Sequence, residues 1–393
     1  MDYIQISIEE MIHQKRIWIY GIGVIGKRVC QIFKYFKINI EGIFVSSLRE
    51  NIDCFMGIPV REFPSLEFRN DDLIIVTVTS KAQEEIIKNI SLNNVNYIIW
   101  TPHLLRSLWK GCRYTFENRI KGKKKLCFVL SGYKNYLWNN VFKRLKENAP
   151  DDVEICLCSA GKYVDELSVI AQKNNWSYLY TDINSVSLIQ NICISLYKDA
   201  EWIFKMDEDM FITSGIFKNL IKTANEIKNS DIYEFGLCSP LIPVNAIGYR
   251  FVLEKYKSLQ IFENKFGKAL LGGCPQREIE KNPEAAKFMW SHEGIPQLDQ
   301  MAKDMQNEKE YQICNTRLSI GFILFHRELW EKMQGFIVYG NMDLGVDEED
   351  INAYCINNSK IMAISMNSVA GHFGFGKQTN EMKKFYIENP EQF

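Results

Sequence analysis

Two clusters of acidic residues are the best candidates in this sequence for binding a metal ion and for accepting a proton. In the first cluster, Asp207, Glu208 and Asp209 directly follow an apolar segment, 202–206, that is typical of a buried strand. Two carboxylates spaced two residues apart can converge on one hard cation while the residue between them points elsewhere. We therefore expect Asp207 and Asp209 to bind Mg²⁺ or Mn²⁺. The alternative is a solvated turn whose acids cap the following helix.

The second acidic cluster, Asp347–Asp350, lies within the segment 345–351. Four consecutive acids cannot all be ionised inside a dry core, so we expect a cleft or a helix N-terminus here. In a cleft, one of these carboxylates can act as a general base and remove the proton of a hydroxyl group. A helix that begins with a charged first turn is the alternative interpretation.

These clusters belong to an α/β pattern that covers residues 126–393. Apolar segments typical of strands alternate with amphipathic helical segments in its first half. Strands are predicted at 126–131, 153–158, 176–181, 202–206, 317–326 and 362–373, and one or two helices within 284–310. The acids 207–209 therefore follow the fourth strand, at the sheet edge where open α/β folds bind ligands.

A smaller α/β pattern occupies residues 1–115. It predicts strands at 17–20, 40–45, 73–79 and 97–100 with helices between them. Such alternation indicates a parallel sheet that helices cover on both faces.

A glycine-rich turn follows the first predicted strand of that pattern. Gly21, Gly23 and Gly26 form a G-x-G-x-x-G sequence before a helix, which is the setting in which this motif binds dinucleotides. The next strand ends at Val45 and Ser46, without the carboxylate that would bond an NAD ribose. We therefore expect a turn kept for packing, and we expect no NAD(P).

The segment 116–125 joins the two patterns and ends in the basic sequence RIKGKKK. We expect a solvated linker here. The alternative is a contact with anionic lipid headgroups, to which each of the four lysines in 121–125 would contribute about 1 kcal/mol.

Composition excludes several classes of protein. A net charge of −1 over 393 residues argues against a nucleic-acid partner. The 11 cysteines are scattered without a C-x-x-C pair, which indicates a reducing compartment and not a disulfide framework. Apolar runs stay well below the roughly 18 residues of a membrane span, and the first residues include acids where a signal peptide is basic. We expect a cytoplasmic protein, with peripheral contact at the inner face of the membrane as the alternative through 121–125.

From about residue 125 to 376, the chain resembles nucleotide-sugar glycosyltransferases of the GT-A type. Asp207-Glu208-Asp209 resembles their DxD motif, and GVDEEDI at 345–351 looks like their later acidic element. The segment 57–63 resembles Rossmann-like modules attached to bacterial sugar-modifying enzymes. The resemblance implies an α/β chain with a GT-A nucleotide-diphospho-sugar transferase fold, preceded by a smaller Rossmann-like parallel-sheet domain.

The resemblance also implies roles for individual residues. It assigns His372, which lies among glycines after a strand, to the metal beside Asp207 and Asp209. It assigns the general base to Glu348 first and Asp347 second, since Asp and Glu have exchanged places relative to the family element. The implied donor-binding residues are Ser131, Gly132, Tyr133, Ser159 and Asp207, and the implied acceptor-side residues are Trp290, His292 and Asp350.

The expected function is metal-dependent transfer of a sugar, with inversion, from a nucleotide-sugar donor. The acceptor is expected to be a hydroxyl of a glycan or lipid-linked glycan, in bacterial surface polysaccharide synthesis. Two alternatives stay open: an NAD(P)-dependent sugar-nucleotide oxidoreductase or epimerase that uses the first domain, and a non-catalytic sugar-nucleotide sensor.

Overall fold

The structure is a computed structural model that describes residues 16–48, 53–64, 67–101, 104, 106, 108–272, 277–308, 311–338 and 345–393. The described residues form two compact units. Unit 1 comprises the described residues within Met1–Tyr114, Asp182–Leu188 and Ile337–Val346, and unit 2 comprises those within Thr115–Thr181, Ile189–Phe336 and Asp347–Phe393. The predicted mixed α/β fold class is confirmed, because both units contain sheets of parallel strands.

Unit 1 is built on one six-stranded sheet. Its strands are β1 (Arg16–Tyr20), β2 (Ile40–Val45), β3 (Cys54–Phe55), β4 (Ile58–Glu62), β5 (Asp72–Val76) and β6 (Asn96–Ile99), and its helices are α1 (Val24–Tyr35), α2 (Ser80–Leu92) and the 3₁₀ turn Leu108–Gly111. The strand order is β3-β4-β2-β1-β5-β6, and β3 alone is antiparallel to its neighbour.

The strand predicted at 73–79 ends at Val76 in the structure. Thr77 turns its hydroxyl onto the carbonyl oxygens of Tyr20 and Gly21, each at 3.0 Å. The Thr77 side chain thereby bonds the turn that follows β1, and β5 ends three residues earlier than predicted. The prediction was wrong here because β-branched residues continue past the point where the chain leaves the sheet.

Unit 2 contains the acidic clusters and a larger mixed sheet. Its strands are β7 (Tyr114–Glu117), β8 (Lys125–Leu130), β9 (Val153–Ala160), β10 (Ser177–Thr181), β11 (Trp202–Asp207), β12 (Met210–Ile212), β13 (Glu234–Leu241), β14 (Tyr311–Cys314), β15 (Phe322–His326) and β16 (Lys360–His372). The order is β12-β16-β13-β15-β11-β8-β9-β10-β7, with β14 also paired to β16. Strands β8 to β11 are mutually parallel where they pair, whereas β15 runs antiparallel to β11.

The helices of unit 2 include those that amphipathic segments predict between the first strands, together with several that were not predicted. They are α3 (Asn135–Asn148), α4 (Asp165–Asn174), α5 (Val186–Leu196), α6 (Ile216–Asn229), α7 (Gly248–Lys255), α8 (Leu259–Phe266), α9 (Glu278–Lys281), α10 (Pro283–Ser291), α11 (Leu298–Met305), α12 (Arg327–Lys332), α13 (Val346–Asn357) and α14 (Thr379–Glu388), with 3₁₀ turns at Gly376–Gln378 and Pro390–Gln392. The helices expected within 284–310 are α10 and α11. Helix α5 begins among residues that belong to unit 1.

The strand predicted at 317–326 is shorter than expected, because β15 begins only at Phe322. The preceding residues bond mainly to α13, although the carbonyl of Gly321 still accepts the Asp207 N–H of β11 at 2.8 Å. The Leu318 N–H donates to Oδ1 of Asn352 at 2.7 Å, and the Ile320 N–H donates to Glu348 at 3.2 Å. Residues 317–321 therefore form a loop that joins the sheet to the second acidic cluster.

The basic segment before β8 is built into unit 2 by acidic partners. The backbone N–H groups of Lys121 and Lys123 donate to the Glu154 carboxylate at 2.8–3.0 Å. Lys124 pairs with Glu201, and Lys125 pairs with Asp152. Within the described residues, every helix is too short or too polar to traverse a bilayer.

Candidate metal and donor site

Asp207, Glu208 and Asp209 lie where β11 ends and the chain turns into β12. Asp207 is the last residue of β11 and pairs in register with Leu130 of β8. Strand β12 runs antiparallel to β16, which sets Met210 opposite His372. The Phe373 N–H donates to the carbonyl of Asp209 at 3.0 Å. This ladder brings the predicted histidine to the predicted acidic motif.

Asp209 is the most enclosed carboxylate of the motif, with a side chain 6% exposed. Its Oδ2 accepts a hydrogen bond from the Lys134 ammonium and lies 3.6 Å from Nε2 of His372. Burial acts to raise the pKa of Asp209, but the Lys134 ammonium and the His372 imidazole outweigh it and lower the pKa. Asp209 is therefore an ionised carboxylate that lies beside the Lys134 ammonium and the His372 imidazole.

His372 is oriented by a backbone carbonyl. Its Nδ1 donates to the carbonyl oxygen of Val244 at 2.9 Å, and this bond directs Nε2 toward Asp209. A histidine whose second nitrogen bonds a carbonyl is held in the tautomer and orientation that suit metal ligation. Asp207, Asp209 and His372 together offer the oxygen and imidazole donors that fit Mn²⁺ or Mg²⁺.

Asp207 faces a buried lysine that the sequence analysis did not single out. Lys205 is 3% exposed and its Nζ lies 2.7 Å from Oδ1 of Asp207, while the Asp207 side chain is 36% exposed. Burial and the nearby Asp209 raise the pKa of Asp207 to about 6, although Lys205 acts to lower it. Asp347 and Glu348 also act electrostatically on Lys205. One buried cation therefore connects the two acidic clusters.

Glu208 points away from Asp207 and Asp209 and holds the loop after β8. Its buried carboxylate accepts the backbone N–H groups of Gly132, Tyr133 and Lys134 at 2.9–3.3 Å and Nε1 of Trp138 at 2.6 Å. An anion-binding cradle of backbone N–H groups is thus filled by the middle residue of the motif. Gly132 has φ of +135°, a conformation that favours glycine.

The predicted donor-binding residues differ in how far they are exposed and in how they are bonded. Tyr133 is 58% exposed, its hydroxyl donates to Ala160, and Nζ of Lys162 lies 4.5 Å from its ring centroid. The hydroxyl of Ser131 bonds the carbonyl of Val129 at 3.3 Å.

Ser159 is fully buried on β9. Its hydroxyl lies 2.7 Å from that of Tyr178 and donates to the carbonyl of Lys162 at 2.9 Å. The structure therefore uses Ser159 inside the protein, beneath the loop that carries Lys162, and leaves Tyr133 as the exposed member of the set.

The second acidic cluster is the first turn of α13. Glu348 is 21% exposed, and its carboxylate accepts from Nε of Arg317 at 2.6 Å. Asp347 is buried and accepts from Nε2 of Gln190 at 2.8 Å. Asp350 is partly buried on the same helix. The second acidic cluster therefore begins a helix and also contains the candidate base.

The predicted acceptor-side residues lie in packed surroundings. Trp290 is 7% exposed, stacks on Phe393 at 4.3 Å and donates from Nε1 to the carbonyl of His372 at 3.2 Å. A side chain at Gly371 would collide with the Trp290 ring, at 2.4 Å from Cβ. Trp290 thus supports the strand that carries His372. His292 is the C-cap residue of α10, and its Nδ1 accepts the Gly294 N–H at 2.9 Å.

The glycine turn of unit 1 has the geometry expected of tight strand-to-helix packing. A Cβ at Gly26 would lie 1.9 Å from the carbonyl oxygen of Gly21, whereas Gly23 faces open space. At the end of β2, the Ser46 hydroxyl lies 3.1 Å from that of Tyr20. No carboxylate follows β2 among residues 46–48.

The cysteines behave mainly as core residues. Eight of the ten described cysteines are buried, and Cys274 lies outside the described residues. The thiols of Cys156, Cys158 and Cys193 lie within 4.8 Å of one another in the core of unit 2. Burial raises the pKa of the Cys127 and Cys238 thiols, which makes them poor nucleophiles.

The sequence matches no protein-family model and no curated protein. Some solved structures are distantly similar. GalNAc-T7 with UDP, GalNAc and Mn²⁺ is 12% identical over 80% of this chain and 60% of that chain, with a TM-score of 0.38. S. aureus TarS 1–349 in complex with UDP is 12% identical over 63% and 60%, with a TM-score of 0.37. The mannosyltransferase PcManGT from Pyrobaculum calidifontis with GDP-Man and Mn²⁺ is 11% identical over 69% and 64%, also at 0.37.

This chain therefore spans 60–64% of the length of those proteins.

Proposed function

We propose that this protein is a metal-dependent glycosyltransferase that moves a sugar from a nucleotide-sugar donor to a hydroxyl group. The observation that carries the proposal is the approach of His372 to Asp209, two residues after Asp207, at the carboxyl ends of the parallel strands β8 and β11. This edge is where open α/β sheets bind ligands. Divalent cations that bind carboxylates also bind phosphate oxygens, as a nucleoside diphosphate would require.

In this proposal the loop 131–134 contacts the donor. Glu208 holds three consecutive N–H groups of that loop, so its backbone is arranged before the donor arrives. The exposed ring of Tyr133 offers an aromatic face to the nucleobase. Ser131 bonds the carbonyl of Val129 at the start of the loop, and Ser159 supports the neighbouring loop that carries Lys162.

Asp207, Asp209 and His372 hold the divalent cation. When bound, that cation supplies positive charge against the diphosphate as it leaves. Asp209 contributes an ionised carboxylate at the most enclosed point of the site, and His372 is kept in position by its bond to Val244.

Glu348 is the proposed general base, since a base must reach the acceptor and Asp347 is buried against Gln190. The acceptor oxygen attacks the anomeric carbon from the side opposite the diphosphate, and its proton passes to the Glu348 carboxylate. The bond from the anomeric carbon to the diphosphate oxygen breaks, and the electron pair stays with the diphosphate. Direct displacement inverts the anomeric configuration. Glu348 must first loosen its ion pair with Arg317.

The proposed acceptor is a hydroxyl of a glycan or a lipid-linked glycan, and the proposed process is bacterial surface polysaccharide synthesis. A panel of nucleotide sugars with Mn²⁺ tests the proposal by thermal shift and by release of nucleoside diphosphate. We expect one donor class to stabilise the protein and to be turned over, and Asp209→Asn to abolish turnover. The matched control is Asp299→Asn, because Asp299 is 61% exposed and pairs with Arg144. Binding without turnover of any donor would favour the sensor.

A further inference from the structure

Lys134 indicates how the proposed metal site is controlled, and this inference rests on the proposed function. The Lys134 ammonium donates to Oδ2 of Asp209, the same oxygen that Nε2 of His372 approaches to 3.6 Å. The Lys134 side chain is 25% exposed and that of Asp209 is 6% exposed. The pair is thus largely shielded from water and salt. Opposite charges attract more strongly in such a place than at the surface.

Lys134 carries its positive charge at neutral pH. Burial acts to lower the pKa of Lys134, but the carboxylates of Asp209, Asp207 and Glu208 outweigh burial and raise it. A cation therefore already stands against the carboxylate that would hold a metal ion. A divalent cation on the same oxygen would be repelled by the ammonium, so the two compete for Asp209.

The backbone of Lys134 is fixed while its side chain can move. Its N–H donates to Glu208 at 3.0 Å, next to the equivalent bonds from Gly132 and Tyr133. The side chain has a flexible four-carbon stem. A lysine displaced from Asp209 therefore stays anchored in the loop 131–134, beside the space proposed for the donor.

We infer that Lys134 is an internal counter-ion that Asp209 exchanges for a divalent cation, and that the displaced ammonium then binds the donor diphosphate. Lysine binds phosphate as a compact point charge. Without ligands, the ammonium neutralises Asp209; with both ligands, the ammonium faces the diphosphate and the carboxylate faces the cation. Metal and nucleotide must then strengthen each other's binding. The metal alone displaces Lys134 without giving it a new partner, and the nucleotide alone meets an ammonium that is still bound to Asp209.

The test measures Mn²⁺ binding and nucleotide binding separately in Lys134→Met, which keeps the length of the side chain and removes its charge. We expect this variant to bind Mn²⁺ alone about fivefold or more tightly than the unaltered protein, measured from the electron paramagnetic resonance of free Mn²⁺. In saturating Mn²⁺, the same variant is expected to bind UDP or GDP about fivefold or more weakly, measured by calorimetry. Lys134→Arg keeps the charge and should stay near the unaltered protein in both measurements.

Two failures are distinguishable. If the unaltered protein binds Mn²⁺ through Asp209 but Lys134→Met binds it equally or more weakly, the exchange is overturned and the proposed function stands. If the unaltered protein does not bind Mn²⁺, or if Asp209→Asn binds it equally well, the metal site itself is wrong and the exchange falls with it. Lys134→Gln provides a second neutral variant should Lys134→Met fail to fold.

Discussion

Lys205 and Asp207 lie on the same side of β11, and Nζ of Lys205 is 2.7 Å from Oδ1 of Asp207. The same ammonium donates to the carbonyl oxygen of Ile320 at 2.8 Å, in the loop that leads to α13. A lysine with 3% exposure is tolerated because carboxylates from both acidic clusters surround it. Strand β11, which ends in the proposed metal-binding motif, is thereby bonded to the loop that contacts the candidate base.

We expect Lys205→Met to destabilise unit 2, since it leaves carboxylates without their buried counter-charge. Removing one partner of a buried ion pair costs about 3–5 kcal/mol, and the partial exposure of Asp207 brings our expectation down to about 2–3 kcal/mol. Urea unfolding measures the effect. Lys124→Met, in an ion pair exposed on both sides, is the matched control and should change stability by less than about 0.5 kcal/mol. Equal effects of the two variants would contradict the role of Lys205.

Glu208→Gln tests whether the middle residue of the acidic motif builds the donor loop. The substitution preserves the size of the side chain but places an amide NH₂ group among N–H donors. We therefore expect the free energy of unfolding to fall by about 2–4 kcal/mol. Because Trp138 loses its 2.6 Å bond to the carboxylate, near-ultraviolet circular dichroism should change as well. Glu201→Gln, on an exposed glutamate, is the control. A variant with unchanged stability and spectrum would show that the loop forms without Glu208.

Removal of metal ligands should weaken Mn²⁺ binding in a definite order. Asp209→Asn takes an ionised, enclosed carboxylate from the site, and we expect Mn²⁺ affinity to fall about 100-fold or more. His372→Ala should cost less, about tenfold, because it removes a neutral ligand. Titration of free Mn²⁺ measures both. The reverse order would demote Asp209, and near-normal activity in EDTA would exclude the metal role altogether.

Glu348→Gln should leave donor and Mn²⁺ binding intact while slowing transfer by about 100-fold or more, as the loss of a general base does. Asp347→Asn is the comparison, since the two acids are neighbours in one helical turn. If Asp347→Asn is the inactive variant, the base moves by one residue. If both variants stay active, the cluster is only a charged helix start, and a retaining mechanism becomes the better interpretation.

Unit 1 should bind neither NAD nor NADP tightly. Its strand β2 ends at Val45, and the hydroxyl of the next residue, Ser46, lies 3.1 Å from that of Tyr20. Calorimetry with both dinucleotides measures this expectation. Micromolar binding of either would restore the oxidoreductase or epimerase alternative.

The strands were predictable where apolar runs are continuous. The segments before Asp207 and His372 both read as buried strands, and both are strands. The strand predicted at 317–326 begins too early, because Leu318 and Ile320 are buried by the contact of a loop with α13 and not by membership in a sheet. Burial alone does not distinguish a strand from a packed loop.

The site was only partly predictable. The spacing of Asp207 and Asp209 after a strand indicates a cation site, but Lys134 lies far away in the sequence and reaches Asp209 only through the pairing of β8 with β11. The position of Lys205 beside Asp207 could have been predicted from the sequence. Alternate residues on a strand share a face, and Lys205 is two residues before Asp207. Nothing local could show that Glu348 is held by Arg317.

The pairing of β12 with β16 has a consequence for the order in which the protein is made. Asp209 and His372 are roughly 160 residues apart, and their contact exists only after β16 has joined the sheet next to β12. A chain still emerging from the ribosome before residue 372 lacks one of the ligands, whatever the state of its earlier strands. The proposed cation site therefore reaches its full affinity only after β16 has joined the sheet, and an incomplete chain would bind Mn²⁺ more weakly than the finished protein.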